Sequence, residues 1–192
     1  MKLRYNSPVI LTFAFVSAVA FFLNKGMAEA LSNYLSVGTS VNWSNPLSIM
    51  TLVTHAIGHS SVDHLLGNMT FILLLGPIVE EKYGSKNTLI MMLATALVTG
   101  VLNISFFDTG LLGASGIVFM LILLVSFTNV KSGEIPITFI LVALLFVGKE
   151  VWQSMGEDRV SQFAHIIGGV CGSIFGFFGN ANNAPSRRPL DA

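Results

Sequence analysis

Six apolar segments of helix length restrict this chain to very few folds. They cover about residues 8–23, 64–79, 87–106, 111–128, 135–152 and 162–179. At a rise of ~1.5 Å per residue, each approaches the ~30 Å hydrocarbon core of a bilayer. Only 10% of the residues are charged, whereas soluble domains carry roughly 25%, and the mean hydropathy is +0.73. The pattern predicts an all-α membrane protein with six transmembrane helices, embedded in the lipid bilayer.

The basic residues outside the apolar segments indicate the orientation, because cytoplasmic loops are enriched in Lys and Arg. An internal N-terminus leaves Lys25, Lys149 and Arg159 outside. It puts the larger set of basic residues inside, namely Lys2, Arg4, Lys82, Lys86, Lys131, Arg187 and Arg188. We therefore predict that both termini are cytoplasmic.

The N-terminus has a second interpretation as a signal peptide. Lys2 and Arg4 precede an apolar run, and Ala28-Glu29-Ala30 resembles a cleavage site. The run is slightly longer than the usual limit of ~15 residues for such a peptide. Its removal would also leave five spans, so we favour a retained first helix.

No internal repeat or second domain is evident in the sequence. We predict a single transmembrane domain over residues 1–179 and a short disordered cytoplasmic tail over 180–192, which is rich in Asn, Pro and Arg. The net charge of zero gives no indication of a nucleic-acid partner. The single cysteine, Cys171, excludes an intramolecular disulfide.

Four polar residues fall at similar depth in the predicted bundle. His64 and Asn68 lie in the first turns of the second span, Ser115 in those of the fourth, and His165 in those of the sixth. Polar side chains at membrane depth are costly and usually functional. His64 and Asn68 are four residues apart and therefore share a helix face. A serine nucleophile and a histidine base held in the bilayer would explain the set.

Glycines accompany both Ser115 and His165. Gly113 and Gly116 flank the serine, and a stripe on the sixth span joins His165 to Gly169, Gly172 and Gly176. Small residues allow helix backbones to approach closely in lipid, as a hydroxyl and an imidazole must to bond at ~2.6–3.2 Å. Simple helix packing and a proton-relay histidine are alternative explanations of these residues.

A histidine cluster offers a different chemistry. His55, His59 and His64 have the spacing H-x3-H-x4-H, and three imidazoles are enough for a catalytic zinc site. On a continuous helix, however, His59 and His64 would point about 140° apart. No H-E-x-x-H pattern is present, so we expect neither a metal nor any other cofactor.

Taken together, these residues resemble the rhomboid family of intramembrane serine proteases, in its compact six-helix prokaryotic form. The motif G-x-S-G occurs as Gly113-Ala114-Ser115-Gly116, and A-H-x-x-G as Ala164-His165-Ile166-Ile167-Gly168. The pattern H-x4-H-x3-N is formed by His59, His64 and Asn68. Val79-Glu80 followed by Gly84 looks like the acidic cytoplasmic end of the family's second helix.

The resemblance implies a Ser115–His165 dyad that cleaves transmembrane or membrane-tethered proteins through an acyl-enzyme. Cleavage would occur near the outer face of a prokaryotic inner membrane. It further implies that the Ser115 backbone N–H and the side chains of His64 and Asn68 stabilise the oxyanion. His59, Gly113, Gly116 and Gly168 would support the site.

Two departures from the family pattern leave room for a divergent, rhombosortase-like subfamily. Met50-Thr51 replaces a common Trp-Arg pair in the first external loop, and Val160 replaces a glycine often found five residues before the histidine. Two other functions are alternatives: a catalytically silent rhomboid-like protein that binds membrane clients, and a metal-binding transporter. The sequence identifies neither a particular substrate nor an oligomeric state.

Overall fold

The computed structural model describes residues 5–126, 137, 140–141, 144–145 and 159–181. Most of the predicted fifth span, 135–152, and residues 182–192 of the predicted tail lie outside this part. The described chain is helical apart from its turns, its loops and one isolated bridge. Its α-helices are α1 (Pro8–Gly26), α2 (Pro46–Thr54), α3 (Val62–Tyr83), α4 (Ser85–Phe106), α5 (Ser115–Ser126) and α6 (Arg159–Ala181).

Three of these helices, α1, α3 and α4, are long and apolar enough to cross a membrane. They correspond to the first three predicted spans. Many large apolar side chains on them are exposed, including Phe15, Phe22, Leu66 and Leu74, as is usual for helices surrounded by lipid. The chain is therefore an integral membrane protein, while the six-span count and the cytoplasmic position of its termini stay predictions.

A buried carboxylate joins the ends of α1, α3 and α4. Glu80, 5% exposed near the end of α3, accepts hydrogen bonds from the backbone N–H groups of Val9 and Ile10 at 3.1 Å. It also accepts one from the Ser85 hydroxyl at 2.7 Å. The first N–H groups of a helix have no partner within it, so this carboxylate serves as a cap for α1. As a result α1 and α4 begin at the same end of the bundle, where α3 finishes.

Helices α5 and α6 are in backbone contact along a parallel seam. A Cβ built on Gly168 would lie 2.0 Å from the carbonyl oxygen of Gly116, and one on Gly172 would lie 2.3 Å from that of Met120. Both pairs advance by four residues, which fixes the parallel direction. The sequence predicted that α6 approaches its neighbour through a stripe of Gly169, Gly172 and Gly176. In the structure, a Cβ would come within 3 Å of the α5 backbone at Gly172, which belongs to the stripe, and at Gly168, which lies beside it.

The long connector between α1 and α3 is folded rather than loose. It contains α2 and two short 3-10 turns, Ser32–Tyr34 and His55–Ile57. A Cβ on Gly100 of α4 would lie 2.5 Å from the Leu52 carbonyl oxygen, so α2 packs directly on α4. Val37, fully buried, forms an antiparallel bridge with Leu111 just before α5. The connector therefore reaches the segment that carries Ser115.

Candidate active site

Ser115 is the first residue of α5 and follows an extended segment. The sequence predicted an apolar segment that begins at about residue 111, but the helix itself begins at Ser115. Leu111 instead forms a bridge with Val37, through hydrogen bonds of 2.9 and 3.0 Å. Gly113 has a φ of +120°, a conformation that side chains strongly disfavour. Its N–H donates to the His55 carbonyl oxygen at 2.9 Å. The chain thus turns sharply into the helix and leaves Ser115, half-buried, at the N-terminus of α5.

His165 is brought to the same end of the α5–α6 seam. Its ring packs against that of Phe119, with centroids 4.3 Å apart. Phe119 lies four residues after Ser115 and so shares its helix face. The residue before the histidine, Ala164, has its carbonyl oxygen 3.4 Å from a Cβ built on Gly116. Serine and histidine therefore occupy adjoining positions on two helices whose backbones touch, and both are half-buried.

His64 and Asn68 approach the serine segment from α3. A Cβ on Gly113 would lie 2.6 Å from His64 Nε2 and 3.7 Å from Asn68 Nδ2. Only glycine leaves room for the His64 imidazole beside the turn, and Asn68 lies at ordinary contact distance from the same position. The predicted pairing of His64 and Asn68 on one face is thus seen in the structure, and that face is directed at the residues just before Ser115.

Hydrogen bonds fix the direction of both side chains. The Asn68 amide nitrogen lies 3.1 Å from His59 Nε2, and His59 Nδ1 lies 3.0 Å from the Ile57 carbonyl oxygen. Because a carbonyl can only accept, Nδ1 carries the proton and Nε2 accepts from the amide. His64 Nδ1 lies 3.2 Å from the Ser60 hydroxyl. When that hydroxyl donates, His64 Nε2 carries a proton facing Gly113.

His59 supports the site in its neutral form. The residue is 4% exposed, and burial lowers the pKa of its imidazole to about 4. Its ring stands edge-on to that of His64, with centroids 5.1 Å apart. A positive charge on His64 would further oppose protonation of His59. A neutral ring is what the hydrogen bond from Asn68 requires.

His55 ties the first connector to both α4 and the serine segment. Its Nε2 lies 3.0 Å from the carbonyl oxygen of Ala96, and its own carbonyl accepts from Gly113. These contacts direct His55 and His59 toward protein groups. Within the described ranges, no group of three His, Cys, Asp or Glu residues is arranged to hold a metal ion.

The sequence analysis missed the contribution of α4. Thr99 packs against Gly116, with its Cγ2 3.1 Å from a built Cβ, next to Ser115. It belongs to a buried polar stripe that also contains Thr88, Thr95 and Asn103. Their offsets of 7, 4 and 4 residues follow one helix face. The same spacing can be found in the sequence, where these four residues form a polar face on an otherwise apolar span.

The helices and the converging polar groups define a class: a multi-pass α-helical membrane protein with a serine and a histidine on touching helices. The family model described as "Rhomboid domain" matches residues 46–181. The chain therefore belongs to the rhomboid family, which confirms the resemblance inferred from its motifs.

Two curated relatives illustrate the similarity. The chain is 26% identical over 147 residues to "Rhomboid protease GlpG" of Yersinia pestis (strain Pestoides F), a match that covers 74% of this chain and 52% of the relative. It is 26% identical over 187 residues to the protein of the same name from Pectobacterium atrosepticum, covering 94% of this chain and 66% of that protein. The chain thus spans about half the length of the first of these relatives.

Proposed function

We propose that this chain is an intramembrane serine endopeptidase in which Ser115 is the nucleophile and His165 the general base. The observation that carries the proposal is the α5–α6 contact, which brings serine and histidine together on two touching helices. Membership of a family with relatives named proteases supports the reaction class. The substrates would be proteins with a transmembrane or membrane-tethered segment, because the site is enclosed by membrane helices.

In the proposed reaction the Ser115 hydroxyl attacks a peptide carbonyl carbon while His165 accepts its proton. The C–N bond then breaks, and the imidazolium returns the proton to the leaving amine. A water molecule hydrolyses the resulting ester, with His165 again acting as base. No carboxylate is needed in this scheme, and His165 is instead oriented by packing against the Phe119 ring.

The negative oxygen of the tetrahedral intermediate would lie between α3 and the start of α5. The Ser115 N–H is in the first turn of α5, where N–H groups have no partner within the helix and the helix dipole favours an anion. His64 Nε2 and the second Asn68 N–H face the same space beside Gly113. Three donors fixed before the reaction begins are the arrangement that stabilises an oxyanion best.

The position of the site along the membrane follows from the proposed orientation. Ser115, His64 and His165 lie at the N-terminal ends of α5, α3 and α6, opposite the end where Glu80 caps α1. With both termini in the cytoplasm, these ends face outward. We therefore expect substrates to be cleaved near the external surface of a prokaryotic inner membrane.

Labelling with a fluorophosphonate probe tests the proposal directly. The purified wild type should become covalently labelled at Ser115, and both Ser115→Ala and His165→Ala should abolish the labelling. A second assay uses a reporter protein with one transmembrane segment and follows the appearance of its fragments. An unlabelled wild type, beside a positive-control serine hydrolase that is labelled, would favour the silent client-binding protein instead.

A further inference from the structure

A cavity of about 400 Å³ lies between α1 and α4 and reaches α5 at Ile117, two residues after Ser115. Thirteen residues line it, and all but Thr12 are apolar. Five elements contribute to its lining, represented by Phe13 of α1, Val53 of α2, Ala56 of the second 3-10 turn, Met92 of α4 and Ile117 of α5. The volume is within the range of ligand-binding cavities, ~300–1,000 Å³.

The cavity opens on the surface that the two spans present to lipid. Val16, Leu89 and Leu93 line it and are also 41%, 45% and 46% exposed, respectively. Both α1 and α4 are long and apolar enough to cross the bilayer. The medium at this opening is therefore hydrocarbon chains, and an empty apolar space of this size would lack the dispersion contacts that packed interiors have.

The inner end of the cavity lies about one leaflet's depth from the start of α4. The helices α1 and α4 start at the same level, because Glu80 binds the N-terminus of α1 and the Ser85 hydroxyl together. From Lys86, at this level, α4 rises about 15 Å to Ala96 at the inner end of the cavity. That distance is half of the ~30 Å hydrocarbon core.

A basic residue lies on the cavity-facing side of α4, one turn before the first residue of that helix that lines the cavity. Lys86, Leu89 and Leu93 have offsets of 0, 3 and 7 and share one face of α4. Lys86 is exposed in the first turn of that helix. An ammonium group at this depth attracts the phosphate of a lipid headgroup, while the leucines guide the attached chain inward.

From these observations we infer that the α1–α4 cavity is a binding site for one acyl chain of a phospholipid, with the lipid phosphate beside Lys86. The chain passes between Val16 and Leu93 and ends against Ala56 and Ala96. Ala96 provides the carbonyl that bonds to His55, and His55 holds the turn at Gly113. The bound chain therefore packs against the support of the serine segment without touching the reacting groups.

Photo-crosslinking of the full chain in vesicles tests this site without depending on proteolysis. The probe is an anionic phosphatidylglycerol that carries a diazirine in the middle of one acyl chain, and mass spectrometry locates the labelled residues. In the wild type we expect labelling of cavity residues such as Phe13 and Met92, in addition to exposed residues such as Phe22. Labelling confined to exposed residues would overturn the proposal.

A matched pair of variants separates the cavity from the surrounding lipid. Leu93→Trp narrows the opening, whereas Leu97→Trp places the same ring one turn further along α4, at a residue of 44% exposure that does not line the cavity. We expect about tenfold less cavity labelling in Leu93→Trp, equivalent to ~1.4 kcal/mol, and unchanged labelling in Leu97→Trp. Equal labelling of the two variants would contradict the site.

The headgroup contact is tested with Lys86→Gln and the same probe. Loss of one favourable charge contact should lower cavity labelling about fivefold at limiting probe, which corresponds to ~1 kcal/mol. Labelling of Phe22 serves as the internal reference for lipid density. Undiminished cavity labelling in Lys86→Gln would overturn the proposed position of the lipid phosphate beside Lys86. None of these measurements requires Ser115, so they test the lipid site independently of the proposed protease activity.

Discussion

The contact between Gly168 and Gly116 makes a quantitative prediction about a single methyl group. In Gly168→Ala the new Cβ would lie 2.0 Å from the Gly116 carbonyl oxygen and 2.7 Å from its carbon. Carbon and oxygen normally approach no closer than ~3.3 Å, so the two backbones must separate by about 1.3 Å. Neither partner atom belongs to a flexible side chain that could simply rotate away.

Separation of the backbones has two measurable consequences. Overpacking of this kind costs ~1–3 kcal/mol, of which ~1 kcal/mol is offset because alanine favours helix more than glycine does. A displacement of ~1 Å between reacting groups can lower the rate by 10²-fold. We therefore expect Gly168→Ala to be modestly less stable and to react with a fluorophosphonate about 10²-fold more slowly.

Gly67→Ala is the matched control, because a Cβ there meets nothing within 4 Å. This variant should gain up to ~1 kcal/mol from helix propensity and keep the wild-type labelling rate. Thermal unfolding in detergent and the labelling time course are measured on both variants. If Gly168→Ala equals Gly67→Ala in stability and rate, the backbone contact does not hold serine and histidine in register.

Four further predictions concern other groups. Ser115→Ala and His165→Ala should each abolish cleavage of a reporter protein, and the double variant should lose no more than either single variant, because the two act as a unit. Asn68→Ala should lower kcat about 10²-fold but leave measurable turnover; wild-type kcat would remove the amide from the oxyanion site. Glu80→Gln should lower the unfolding temperature, because the Glu80 carboxylate accepts three hydrogen bonds and the amide replaces one accepting oxygen with an NH₂ donor. The expected cost is ~2 kcal/mol of stability, and an unchanged unfolding temperature would contradict the role of Glu80 as a cap. The His59 pKa of about 4 lies below the ordinary 6.5, so the unfolded chain binds more protons between these values, and stability should fall by at most ~3 kcal/mol as pH drops from 6.5 to 4. His59→Gln should flatten that pH dependence in unfolding experiments.

Much of the fold could be predicted because lipid imposes simple rules on sequence. A span must be long, apolar and helical, and α1, α3 and α4 meet those conditions. Their predicted limits of 8–23, 64–79 and 87–106 fall within or near the helices observed. Apolarity alone misjudged the start of α5, because Leu111 and Leu112 are as apolar as the helix they precede.

The site was only partly predictable for a related reason. Serine, histidine and asparagine are conspicuous in apolar spans, so Ser115, His165 and Asn68 could be chosen from the sequence alone. The bridge between Val37 and Leu111 joins residues with no distinguishing chemistry and a large separation along the chain. The role of the His55 carbonyl was equally hidden, because every residue has one.

The link between the first connector and the serine segment separates insertion of the protein from completion of its site. Helices can enter the bilayer one by one, since each satisfies its own backbone. The turn at Gly113, however, is held by Val37 and His55, which belong to a connector made long before it. Insertion of the helices does not by itself form the bond between Gly113 and His55, which requires the connector to pack against the serine segment. The geometry around Ser115 therefore depends on docking of the connector as well as on the packing of the helices.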